Sequence, residues 1–131
     1  MQVALTFDFG GRVGDALAIV RYLEAQRVDA TVFSTGAQAD LAASDATVRQ
    51  VFAVLCGSTR LTLGNHSMTH ADFAALTPGA MRAQLLDAEA ALGRVCPVES
   101  PRPLFRPPNG SLGGWRTATF YEILDAVGSV G

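Results

Sequence analysis

Four times along this chain a short apolar run gives way to a segment with helical periodicity, and that alternation restricts the fold more than any other feature. Residues 2–8 read as a first strand ending at Asp8, followed by Phe9 and a Gly10-Gly11 break. From Asp15, a candidate N-cap, the residues Ala16, Ile19, Val20 and Leu23 recur at helical spacing to about Ala25. Ala30-Thr-Val-Phe-Ser34 forms the second strand, closed by Gly36. A second helix fits Asp45–Leu55, with Val48, Val51, Phe52 and Leu55 on one face and Gly57 as its stop. Arg60–Leu63 is a third strand, leading into the loop Gly64-Asn-His-Ser-Met-Thr-His70.

Thr77-Pro78 opens the clearest helix, since Thr is a favoured N-cap and Pro a favoured first helical residue. Its apolar stripe is Met81, Leu85, Ala88 and Leu92, with Gly93 marking the end. A connector from Pro97 to Pro103 leads to a fourth short strand at Leu104-Phe105. The strand must stop there, because the prolines of Arg106-Pro-Pro-Asn-Gly110 cannot donate to a ladder. Trp115–Val127 reads as a last helix, with Phe120, Ile123, Leu124 and Val127 inward. The pattern predicts one α/β domain over residues 1–131, with parallel strands and right-handed crossovers. A doubly wound sheet and part of a (β/α) barrel both satisfy it. In either, the C-terminal strand ends share one rim, and Asp8, Ser34-Thr35-Gly36, the histidine loop and Arg106 collect there.

Composition removes several classes of function. No apolar run approaches the ~20 residues needed to span a bilayer. Ten basic and twelve acidic residues, without blocks of one sign, give a net charge of -2 and no electrostatic footprint for nucleic acid. Cys56 follows an apolar run and reads as a small buried hydrophobe, while Cys96 precedes Pro97 near a loop. A bridge between them is left open. Residues 2–6 read as strand rather than signal peptide, so the chain is expected to be cytoplasmic or a domain excised from a longer precursor.

The rim residues suit metal-assisted hydrolysis. His66 and His70 are the only histidines, and on a helical turn their i, i+4 spacing would let both imidazoles reach one divalent ion. A bound metal polarises a carbonyl and acidifies its water. Asp8 could take that water's proton, with Arg106 as its ion-pair partner. Backbone N–H groups in the Asn109-Gly110 turn could hold an oxyanion, a contact typically worth about 3 kcal/mol. The plainer alternatives are a strand-end cap for Asp8 and a surface ion pair for Arg106. Pro107 and Pro108 either line the substrate side or simply end the strand.

Thr6-Phe-Asp-Phe-Gly10 resembles the Thr-Phe-Asp-Asp-Gly motif of the polysaccharide deacetylases, the NodB-homology domain of carbohydrate esterase family 4. His66-Ser-Met-Thr-His70 is similar to that family's His-Ser/Thr-x-x-His, and Arg106-Pro-Pro-Asn-Gly110 to its Arg-x-Pro-Tyr-Gly. The resemblance runs from residue 2 to about residue 127, with the motifs in the family's order. It implies a partial (β/α) barrel of about four β/α units and an enzyme that removes acetyl groups from N-acetylated glycans such as chitin or peptidoglycan. It implies Asp8 as general base, His66 and His70 as ligands of a divalent metal (commonly zinc), Arg106 orienting Asp8, and backbone at Asn109 contacting the oxyanion.

Three departures stand out. The family's metal-binding Asp falls at position 9, which here is Phe9, so an apolar ring is expected where an ion would sit. Replacing Phe9 by Asp is then expected to raise metal affinity. Asn109 stands in place of the family's Tyr. The later Asp-x-x-Asp-Trp and Leu-x-His motifs, which carry the general acid, have no counterpart, so the domain is expected to be incomplete at its C-terminal side. A glycan-binding module without turnover is the competing expectation. A doubly wound cofactor domain is a weak third, since Gly10-Gly11 lacks the rest of G-x-G-x-x-G.

Overall fold

A computed structural model describes residues 1–97, 104–114, 117–126 and 128. Three parallel strands, β1 (Thr6–Phe9), β2 (Ala30–Ser34) and β3 (Leu61–Asn65), form one sheet in the order β1-β2-β3. Between and after them come helices α1 (Val13–Ala25), α2 (Gly36–Asp40), α3 (Ala46–Gly57), α4 (Pro78–Val95) and α5 (Thr117–Ala126). The fourth strand is reduced to one parallel bridge between Asn65 and Phe105. The prolines at 107 and 108 leave no room for more. Spatial order follows chain order, so the sheet has no switch point. That winding belongs to a barrel wall and not to a doubly wound sheet.

Register decides which residues face the helices. Asp8 pairs with Phe33, and Phe33 with Gly64. Alternation then sends Thr6, Asp8, Thr31, Phe33, Thr62 and Gly64 to the open face. Phe9, Ala30, Val32, Leu61 and Leu63 join Val20, Leu23, Val48, Val51, Phe52 and Leu55 in the larger core beneath the helices. A second cluster gathers Phe73, Met81, Leu85, Phe105, Phe120 and Leu124. Within it the rings of Phe73, Phe105 and Phe120 stand 5.5–6.0 Å apart. This cluster anchors Phe105, and so fixes where Arg106 leaves the sheet.

Local chemistry accounts for the helix starts. The Asp45 carboxylate accepts from the N–H groups of Thr47 and Val48 at the start of α3. Thr77 Oγ1 accepts from Ala80 N–H ahead of Pro78, as expected for α4. Helix α1 differs: it starts at Val13 behind Arg12, and Asp15 lies inside the first turn, paired with Arg12 at 2.8 Å. An acidic residue there complements the helix dipole without capping it. Ile19 is exposed, so the inward stripe of α1 rests on Val20 and Leu23.

Other boundaries shift too. β1 begins at Thr6, with residues 2–5 exposed. α4 passes Gly93 and ends at Val95. Gly36, expected to close β2, instead opens α2, where Thr35 Oγ1 accepts from Gln38 N–H. Its missing side chain lets α2 sit against α4, because a Cβ would meet Met68 Sδ and, at 2.9 Å, the Ala88 backbone. Trp115 and Val127 lie outside the described residues. No described helix is long and apolar enough to cross a membrane.

Cys56 is exposed, contrary to its reading as a buried hydrophobe, and forms a disulfide with Cys96 at a Cα–Cα distance of 5.4 Å. The bond ties the end of α3 to the end of α4 across 40 residues of chain. On the chain-entropy account a loop of that length contributes about 4 kcal/mol. Reduced protein, or a Cys56→Ser/Cys96→Ser variant, should therefore lose about that much in urea unfolding relative to oxidised protein.

Candidate active site

The open face of the sheet brings Asp8, His66, His70 and Arg106 together. Arg106 reaches back across the sheet: Nη1 donates to Asp8 Oδ1 at 2.8 Å and Nη2 to Thr6 Oγ1 at 2.7 Å. Its guanidinium lies 4.4 Å from the centroid of the Phe33 ring. The ring has that position because position 64 is glycine. A Cβ there would come within 2.5 Å of Phe33 Cδ1. Register, Gly64, Phe33 and Arg106 thus form one stacked arrangement ending on the Asp8 carboxylate. The contact between Phe33 and Gly64 has no signal in the sequence, where nothing marks which strand residues meet across a ladder.

His66 is held on both sides. Its N–H bonds to Ser34 O at 2.9 Å, which extends the β2–β3 ladder by one residue. Its Nδ1 lies 2.7 Å from the Arg106 carbonyl oxygen. A carbonyl only accepts, so the ring proton sits on Nδ1 and the Nε2 lone pair is left for a ligand. Nε2 lies 3.9 Å from Asp8 Oδ2. Burial, the largest influence, lowers the His66 pKa below its usual 6.5, against the raising effect of the bond to Arg106 and of Asp8. The imidazole is therefore neutral at neutral pH, as a metal ligand must be.

The two histidines do meet, with ring centroids 5.0 Å apart and planes at 73°. They do not meet on a helical turn. Beyond β3 the chain runs through a loop in which Ser67 (φ 71°) and His70 (φ 60°) take left-handed conformations. These left-handed residues fold the loop so that the two rings meet by loop geometry and not by helical spacing. His70 is exposed, whereas the His66 side chain is 3% exposed.

Phe9 departs most from expectation. Strand alternation turns its ring away from Asp8 and into the helix-side core, where it is 4% exposed and 5.7 Å from Phe52. The Phe9 ring therefore does not stand at the rim. The consequence for metal is similar: among the described residues no three His, Cys, Asp or Glu side chains converge as a metal site. His66 and His70 offer two imidazole donors, one short of the usual protein set of a catalytic zinc site.

Asn109 follows in the turn Pro108–Gly110 with φ 55° and ψ 17°. Within that turn Gly110 N–H donates to Pro107 O and Ser111 N–H to Pro108 O. No hydrogen bond among the described residues joins Asn109 to the Asp8–His66 group. Pro108 is buried and Pro107 half-buried beside Arg106.

A polysaccharide deacetylase family model matches residues 1–128, and the chain belongs to that family. A family 4 carbohydrate esterase from Bacillus anthracis is similar in structure, with TM-score 0.74 and 26% identity over 92% of this chain and 54% of that one. Peptidoglycan deacetylase PdaC from Bacillus subtilis gives TM-score 0.70 and 22% identity, covering 96% of this chain and 55% of its own. A carbohydrate esterase family 4 pseudoenzyme from Bacillus anthracis gives 0.72 and 21%, over 96% of this chain and 40% of that one. This chain thus spans about half the length of those it matches. A comparison with curated proteins finds no match. Deacetylases and a pseudoenzyme share the fold, so turnover depends on the site and not on the scaffold.

Two substitutions test this geometry. Phe9→Asp buries a carboxylate beside Phe52 and should destabilise the fold by at least about 3 kcal/mol in denaturant unfolding. The same change would be nearly neutral if position 9 faced the rim. Gly64→Ala should cost about 1–3 kcal/mol by pushing the Phe33 ring from beneath Arg106.

Proposed function

We propose that the chain carries the acetyl-hydrolysing centre of a metal-dependent polysaccharide deacetylase acting on N-acetylated amino-sugar glycans of the chitin or peptidoglycan kind. The observation that supports this most is the Arg106–Asp8 pair standing beside a neutral His66 whose Nε2 is turned to the same carboxylate. Arg106 occupies Asp8 Oδ1 and leaves Oδ2 to take a proton from an attacking water. Asp8, once protonated, is also the group placed to return that proton to the leaving amine. His66 and His70 are the residues that would hold a divalent ion, zinc in the family's usual practice, which when bound polarises the acetyl carbonyl. Backbone at Asn109 is assigned the oxyanion contact, and Pro107 and Pro108 the wall against the sugar.

A second reading has its own support. With Phe9 committed to the core, a site of this kind could recognise an acetylated glycan without hydrolysing it. Acetate release from acetylated chito-oligosaccharides and peptidoglycan fragments, measured with added zinc or cobalt, separates the two. The proposal expects release that falls at least 100-fold in Asp8→Asn and disappears in His66→Ala/His70→Ala. Glycan binding with no release above the double variant would overturn hydrolysis and leave the recognition reading.

A further inference from the structure

Asn65 is wholly buried, yet nothing in the chemistry above uses its side chain. A buried primary amide must find partners for two donors and an acceptor. Nδ2 donates to Leu85 O and to Glu89 Oε1, each at 3.0 Å. Oδ1 accepts from Ser67 N–H at 2.9 Å. Leu85 O and Glu89 Oε1 both accept while Ser67 N–H donates, so only one orientation of the amide satisfies all three. Its backbone is equally committed: Asn65 N–H donates to Leu104 O, and Arg106 N–H to Asn65 O, each at 2.9 Å.

Each of these bonds ends on something that sets the histidine pair. The bond to Ser67 closes the left-handed turn after His66, and Ser67 Oγ then accepts from His70 N–H at 3.0 Å. The backbone bonds hold the strand that presents the Arg106 carbonyl to His66 Nδ1. The two Nδ2 bonds attach the whole assembly to α4, whose residues lie 20 and 24 positions further on. We propose that Asn65 is the positioning residue of this centre, coupling α4 through Glu89 and Leu85 to the mutual orientation of His66 and His70. Asn65 touches no reacting atom. It acts through the loop that carries the two imidazoles, and Glu89 acts through Asn65.

The inference rests on His66 and His70 being the donors of the site, and its test separates the two questions. Ring-proton NOEs between His66 and His70 report the pair's geometry without metal, and zinc titration by calorimetry reports its use. Asn65→Ala should abolish the NOE and weaken zinc binding by about 10- to 100-fold, the usual cost of losing an outer partner of a metal ligand. Leu55→Ala, which destabilises the other core, should keep both, so a general loss of stability does not imitate the effect. Asn65→Asp should lose the NOE by setting a carboxylate against both Glu89 and the Leu85 carbonyl. Asn65→Asp/Glu89→Gln should recover part of it, because the introduced amide can donate to the introduced carboxylate while the Leu85 carbonyl stays without its donor. An unchanged NOE in Asn65→Ala, or equal loss in Leu55→Ala, overturns the role. Should Asn65→Ala not fold, failure of the Glu89 swap to recover any of what Asn65→Asp loses overturns it as well. Wild-type protein that shows the NOE but binds no zinc would refute the metal reading alone.

Discussion

Arg106 holds the centre together by reaching across the entire sheet. Its guanidinium bonds to Asp8 and Thr6 on β1, rests on Phe33 of β2, and its backbone is paired with Asn65 at the end of β3. The strength of the ion pair is not what matters. The Arg106 and Asp8 side chains are 34% and 46% exposed, and pairs so open to water contribute roughly 1 kcal/mol or less. What the residue supplies is geometry: one side chain and one carbonyl set the orientation of both a carboxylate and an imidazole. Its position depends in turn on the cluster of Phe73, Phe105 and Phe120, which fixes the chain just before it.

The alternation of β1 divides chemistry from stability within two residues. Asp8 faces the rim and Phe9 the core. In a strand this division is binary, and a one-residue slip would exchange the two faces. Position 9 thus carries a side chain that serves packing, and the rim keeps two imidazoles and a carboxylate.

Much of this was legible in the sequence. The cap at Thr77 and the stripes Val48-Val51-Phe52-Leu55 and Met81-Leu85-Ala88-Leu92 are local patterns, and those helices formed as the patterns predict. The motif residues Asp8, His66, His70 and Arg106 meet on one face as expected. What the sequence concealed depends on contacts between distant residues or on backbone shape. Helix α2 is only five residues long and begins at a glycine that reads as a stop. The histidine turn needs left-handed residues at Ser67 and His70, types that do not advertise it. The ring of Phe9, the seat of Phe33 over Gly64 and the partners of Asn65 all follow from register and from helix docking, which no single window of sequence contains.

The disulfide has a consequence of placement. In a β/α unit the helix runs back against its strand, so the ends of α3 and α4 joined by Cys56 and Cys96 lie at the floor of the wall, while Asp8, His66 and Arg106 stand on its roof. Strands and helices both run between floor and roof, and Asn65 bonds to α4 at Leu85 and Glu89, short of the disulfide end of that helix. The protein's durability and its chemistry are therefore separately adjustable: a thiol reagent acting on the floor would shorten the lifetime of the folded chain while leaving the centre of each surviving molecule as it was.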